Sequence, residues 1–341
     1  MSVVMPVRNE ADFLAESLGA VLAQDYPRDR MEVFIADGMS TDDTRAIVAA
    51  LAARDQRCPV RVVDNPRGIV ATGLNAAMLL VKGDIIVRVD GHCRIAPDYI
   101  TRCVDHICRD EVDGVGGSIT TIATSAVGQV IAAAMSSPFG VGGSAFRTVT
   151  GRTMLADTVP FPAYTHRAMK VAGPYDEELV RNQDDEYNYR LRKLGARLLL
   201  AADVKSDYYS RSSLRSLWRQ YLQYGFYKVR VMQKHVLQMQ LRQFVPPAFV
   251  LFLIAGPLFG AVSGPALRVW LAVLALYGLA TILAAIATAR RTRTPRPWLL
   301  PVAFAILHVS YGLGFLVGLC RFAGRRRPAD ATKAANARAV S

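Results

Sequence analysis

Three short polar clusters stand out by residue type and spacing: Arg8-Asn9-Glu10, Asp37-Gly38 and Asp90-Gly91-His92. A fourth, Asn182-Gln183-Asp184-Asp185-Glu186, brings three acids together. A carboxylate within hydrogen-bond reach of a hydroxyl can take its proton as general base. The plainer reading also has force. A lone Asp-Gly is ordinarily a turn, and acids at a helix start complement the helix dipole. What separates the first three clusters from ordinary turns is their place, because each follows a short apolar run directly.

Those runs, at 2–7, 32–36, 60–63 and 85–89, read as buried strands. Helical stretches at 13–24, 42–54 and 71–81 separate them. Alternation of this kind predicts a parallel α/β sheet, whose ligands bind at the carboxyl ends of the strands. The three clusters then share one edge. Asp42 is expected to N-cap the second helix. The acidic run at 182–186 opens a helix ending near Leu194.

The rest of the chain has a different character. The formal net charge is +13 and mean hydropathy is +0.20, which excludes a disordered basic tail as the whole protein. Residues 211–341 carry a net +17 and residues 1–210 a net −4. Uncharged runs at 243–267, 269–289 and 297–320 each reach the ~20 residues a membrane helix needs. Arg290, Arg291, Arg293 and Arg296 mark the loop between the second and third runs as cytoplasmic, and the N-terminal region with it. Three crossings place the tail outside, against the basic Arg321, Arg325, Arg326 and Arg327. Either that tail is translocated or one segment is re-entrant, and Pro246, Pro247 and Pro257 make the first segment the weakest span. The opening residues lack a basic n-region, so a secretory signal is not expected. Five cysteines with no CxxC pair are expected to be reduced thiols. Bases interleaved with aromatics at 211–243 read as interfacial amphipathic helices on membrane lipid, and specific nucleic acid is not an expected partner.

The motifs VVMPVRNE, ADGMSTDDT and VRVDGH resemble the nucleotide-sugar half of family-2 glycosyltransferases with the GT-A fold. VPFPAY and VAGPYDEELVRNQDDEYNYRLRKLG resemble their acceptor half. The likeness covers about residues 1–235 and is nearest to bacterial succinoglycan-type exopolysaccharide glucosyltransferases. It implies a Rossmann-like mixed sheet at 1–210, interfacial helices at 211–243, a transmembrane region at 244–322 and a basic tail at 323–341. The chain is then a multi-pass protein of the inner membrane with a cytoplasmic catalytic domain.

The resemblance also assigns residues. Pro6, Val7, Arg8 and Glu10 line the nucleoside, Asp37 accepts from uracil, and Asn75 faces the nucleotide. Asp90, Gly91 and His92 occupy the position that holds the diphosphate through a divalent cation. The imidazole at His92 favours Mn²⁺ over Mg²⁺. Asp184 is the base, and Asp185, Glu186 and Lys228 lie toward the acceptor, with Lys228 or Arg230 at its phosphates. The implied reaction is inverting transfer of glucose from a UDP-sugar to a lipid-linked saccharide. Rivals are GDP-mannose or another donor with a polyprenyl phosphate acceptor, and a non-catalytic nucleotide-sugar-binding scaffold.

Overall fold

The computed structural model describes residues 1–54, 57–143, 145–148 and 151–325. Arg326 and Arg327, with most of the expected basic tail, lie outside them. The chain divides into two compact units. One comprises Met1–Leu214 with Leu283–Phe304, and the other Arg215–Ile282 with Ala305–Ser341. The first unit thus includes a stretch of the C-terminal third.

In the first unit the predicted alternation is present: β1 (Ser2–Val7), α1 (Ala11–Leu22), β2 (Glu32–Asp37), α2 (Thr44–Ala52), β3 (Val60–Asp64), α3 (Val70–Met78) and β4 (Ile85–Arg88). These strands pair in parallel in the order β3-β2-β1-β4. Then follow β5 (Cys93–Ile95), α4 (Tyr99–Asp110), β6 (Gly114–Ile122), α5 (Ala126–Met135), α6 (Pro138–Val141) and α7 (Ala145–Thr148). After them come β7 (Met154–Leu155), β8 (Ala163–Thr165), α8 (His166–Ala172), α9 (Gln183–Lys193) and β9 (Leu198–Tyr209). Strand β8 lies antiparallel to both β4 and β6. The sheet is therefore parallel through its first four strands and mixed beyond.

Side chains alternate across a strand, and here both faces are apolar. Val3, Met5, Val33, Ile35 and Val87 pack with α1 and α4 on one face. Val4, Phe34, Ala36 and Ile86 pack with α3, α8 and α9 on the other. By the same period Arg88 and Asp90 share the second face, at the edge where β4 ends.

One expected detail differs. Helix α2 has Asp43 at its N-cap position, not Asp42. The Asp42 carboxylate accepts from the Thr44 amide at 3.1 Å and from the Ala11 amide at 3.1 Å, fastening the start of α1 to that of α2.

The same unit includes the end of one apolar helix and the start of the next. Within α12 (Gly264–Thr292), Thr288 Oγ1 donates to Ser137 Oγ at 3.3 Å and Arg291 donates to the Ser136 carbonyl at 2.8 Å. Phe304 of α13 (Leu300–Phe322) meets Phe139 edge-on at 5.1 Å.

The second unit holds most of α10 (Leu214–Lys234), together with α11 (Val245–Val262) and the remaining parts of α12 and α13. The expected interfacial stretch is one long helix followed by two single-turn 3-10 helices, Val236–Gln238 and Leu241–Gln243. Among the described residues, three helices are long and apolar enough to cross a membrane, within Leu241–Val262, Gly264–Thr292 and Pro297–Phe322. Pro257 lies inside α11 without ending it. Gly225 lets α10 approach α13: a Cβ there would lie 2.0 Å from the Tyr311 carbonyl. The Tyr277 hydroxyl pairs with His308 Nδ1 at 3.0 Å, and Thr281 and Ser310 return their hydroxyls to carbonyls one turn earlier. Polar groups inside an apolar bundle require such partners.

Away from the clusters at the sheet edge, His106 ties α4 to β9. Its Nδ1 meets Asp110 and its Nε2 meets Asp203, each at 2.7 Å. Burial opposes the imidazolium, and the bonds to Asp110 and Asp203 outweigh it, so His106 titrates above the ordinary histidine range. A raised folded pKa gives stability that is complete below the unfolded value of about 6.5 and is lost as pH climbs through the folded one. Thermal melts from about pH 5.5 to about 8.5 are expected to show wild type losing stability relative to His106→Gln as pH rises. A pH-independent difference would remove the charge from this tether.

Candidate active site

The three clusters do meet at one edge, and the backbone explains how. Asn9 adopts a left-handed φ of 53°, a conformation Asn tolerates. That turn presents its amide to Ser40 Oγ at 2.9 Å and its Oδ1 to the Thr41 amide at 2.8 Å. The Glu10 amide donates to Thr44 Oγ1 at 2.9 Å. The loops after β1 and β2 are thereby buckled together.

The loop after β4 joins them through Glu10, whose Oε1 meets His92 Nδ1 at 2.9 Å. Gly91 makes this possible, because a Cβ there would stand 3.0 Å from the Glu10 side chain and 3.1 Å from Val7. Pro6 and Val7 are buried in β1, behind this contact. Arg8 is exposed and reaches the Gly68 carbonyl at 3.3 Å.

Arg88 anchors the centre. It is 8% exposed and grips Asp90 with both arms, Nε to Oδ1 at 2.9 Å and Nη2 to Oδ2 at 3.2 Å. Burial works against the Arg88 charge, and Asp90 followed by Asp184 more than restores it, raising its pKa above that of an ordinary arginine. Burial pushes Asp90 up, and Arg88, then His92, with Arg181 behind them, hold it below the usual carboxylate range. Asp184 acts on Arg88 from the first turn of α9, where Asn182 turns the chain at φ 63°. Asp184 itself is exposed to solvent. Its neighbour Gln183 is buried, with an Oε1 that finds no partner among the described residues.

Other assigned residues frame the site. Asp37 is buried with both oxygens in use, by Ser40 Oγ at 2.5 Å, the Ser40 amide at 3.2 Å and Arg45 Nε at 2.6 Å. Asn75 exchanges bonds with the Tyr175 backbone at 2.7 and 2.9 Å and reaches Glu177 at 3.0 Å, holding the segment before α9. Glu186 is buried and spent on Arg190, at 2.9 and 2.8 Å. Asp185 sits half-buried beside Asp184. Lys228 is buried on α10 in the other unit.

Arg88 was not singled out in the sequence, although a signal was there. A charged side chain in a strand as apolar as IIVRVD requires a partner, and the acid two residues on shares its face. Tyr175, stacked on Tyr187 at 4.0 Å, carried no comparable signal.

A doubly covered mixed sheet with this constellation at its carboxyl edge defines a GT-A-type glycosyltransferase. The family described as Glycosyl transferase family 2 matches residues 2–171. The succinoglycan biosynthesis protein ExoA of Rhizobium meliloti (strain 1021) is 33% identical over 96% of both chains. The chain belongs to glycosyl transferase family 2. It is also 24% identical, over 94% of its length and 97% of the other's, to a dolichyl N-acetyl-alpha-D-glucosaminyl phosphate 3-beta-D-2,3-diacetamido-2,3-dideoxy-beta-D-glucuronosyltransferase of Methanococcus voltae. Among solved structures, the mannosyltransferase PcManGT of Pyrobaculum calidifontis, in complex with GDP-Man and Mn2+, shares the fold. Its TM-score is 0.58 at 21% identity, over 92% of this chain and 86% of that one.

Replacing Arg88 by Met leaves Asp90 without its partner. Arg88→Met is expected to cost about 3 kcal/mol in urea unfolding of the detergent-solubilised protein. Adding Asp90→Leu should recover most of that loss, since the uncompensated charge goes with it.

Proposed function

We propose that this chain is a membrane-anchored, inverting glycosyltransferase that moves a hexose, glucose first among candidates, from UDP to a lipid-linked saccharide. The observation that carries the reading is that Asp184, exposed in the first turn of α9, acts electrostatically on Arg88, the partner of Asp90. One carboxylate is available to an acceptor hydroxyl, beside the ion pair at the end of β4 where the resemblance puts the diphosphate. Asp184 takes the hydroxyl proton as the oxygen attacks C1 of the sugar. The C1–O bond to the diphosphate breaks with its electron pair staying on the diphosphate, and one displacement inverts the anomeric centre.

A divalent cation, Mn²⁺ before Mg²⁺, fits the residues present. Asp90 keeps lone pairs beyond the two that Arg88 takes. Glu10 holds the His92 ring through Nδ1 and leaves its other nitrogen as the one that would hold the ion. Among the described residues no group of three or more ligands assembles, which suits an ion that completes its shell with substrate phosphates. Such an ion, when bound, neutralises charge developing on the leaving group.

The names of the two curated relatives support the acceptor class, one a succinoglycan biosynthesis protein and the other named for a dolichyl-phosphate-linked sugar. A role in exported polysaccharide assembly follows. One observation favours a second donor, GDP-mannose or another nucleotide sugar. Asp37, the residue that pointed to uracil, is occupied by Ser40 and Arg45, so it shapes the base-binding loop in place of a direct contact. For the membrane, contacts of Arg291 and Thr288 with Ser136 and Ser137 support a multi-pass inner-membrane topology in which the α12–α13 connection shares the cytoplasmic side with the catalytic unit.

Asp184→Asn is expected to lower sugar transfer by about 10²–10⁴-fold while UDP affinity stays within about twofold. Full activity in that variant would sink the assignment of the base, and a wild type that releases no nucleotide under any donor returns the scaffold reading. In a cysteine-free background, Arg293→Cys should react with a membrane-impermeant maleimide only after cells are opened. Labelling of intact cells overturns the orientation.

A further inference from the structure

The arginines set around the sheet edge are mostly spent on carboxylates. Arg88 is held by Asp90, Arg94 by Asp207 and Arg45 by Asp37. Arg147 is different. Its Nη1 donates to the Thr121 hydroxyl at 3.2 Å, and its guanidinium lies 5.4 Å from the ring centres of both Phe146 and Tyr208. Among the described residues no carboxylate pairs with it.

Its position gives that spare charge a use. Tyr208 stands edge-on to His92 at 5.2 Å, so a single aromatic ring separates the Arg147 cation from the imidazole at the expected phosphate position. Helix α7, which carries Arg147, rests on β6. Left-handed glycines flank it, Gly142 at φ 61°, Gly143 at 76° and Gly151 at 75°, and these turns bring the short helix over the strand.

The local charges call for such a group. Asp90 is neutralised by Arg88, and His92 is paired with Glu10, so those four side chains offer little net positive charge to an arriving diphosphate. A guanidinium held by a hydroxyl and by π faces gives up weak contacts when it turns to a phosphate, and gains charge-assisted hydrogen bonds. We propose that Arg147 is a phosphate-binding residue of the donor site, its guanidinium contacting the diphosphate of the nucleotide sugar and of the nucleotide that leaves. This rests on the donor reading above and adds a residue that neither the motifs nor the family match assigns.

The test compares full-length wild type, Arg147→Met and Arg147→Lys in detergent by titration calorimetry with UDP, GDP and uridine. Expected is a loss of about 10- to 100-fold in nucleoside diphosphate affinity for Arg147→Met, with uridine affinity unchanged. Arg147→Lys should lose less, keeping charge without the planar fork. Diphosphate affinity unchanged in Arg147→Met overturns the proposal, as does an equal loss for UDP and uridine, the mark of a packing role. Unchanged UDP and GDP affinity with a raised KM for the lipid-linked acceptor also overturns it, moving the phosphate contact to the acceptor. A wild type that binds neither diphosphate defeats the donor reading itself, and this inference with it.

Discussion

A buried guanidinium gripping a carboxylate at the end of β4 is the constraint on which the site depends. Arg88 is 8% exposed, and a charge that far from water must be compensated where it stands. Asp90 supplies the partner through two bonds, and Ser17 Oγ fixes the Asp90 carbonyl at 3.0 Å. Once that pair is set, the backbone that follows is committed. Gly91 must pass close to Glu10, and His92 must meet its carboxylate.

A second set of residues works at one remove. Asp37, Asn75 and Glu186 all have the chemistry to touch a ligand, and all three are bonded to protein groups. Asp37 ties its own loop to Arg45, Asn75 holds the Tyr175 segment, and Glu186 braces α9 through Arg190. Each satisfies buried polar groups that would otherwise cost free energy. Asp184, His92 and Arg147, which keep bonding capacity to spare, come from three separate segments. That division between framing and acting side chains is set by packing, not by residue type.

The charge of the chain follows the same logic on a larger scale. Its net −4 over residues 1–210 accompanies the sheet unit that gathers the carboxylates at its edge. Its net +17 over residues 211–341 accompanies three apolar helices. Basic side chains beside apolar spans gain from anionic lipid, whereas the same charge near the site would compete for Asp90.

Much of this was legible in the sequence. The short apolar runs and the helical stretches between them located the first four strands and their helices to within a few residues, because local backbone preference and burial agree there. The acids at strand ends followed from the rule that such sheets bind ligands at their carboxyl edge. The uncharged runs marked the apolar helices by length alone. The antiparallel insertion of β8 did not follow, since strand direction depends on how the chain returns. Nor did the capture of Asp37 by Arg45, or the seat of Arg147 on Tyr208. Residue types and spacing determine which groups are available and which edge they reach. Only tertiary packing decides which of them are consumed by one another and which remain free to meet a substrate, because that competition runs between segments far apart in the chain.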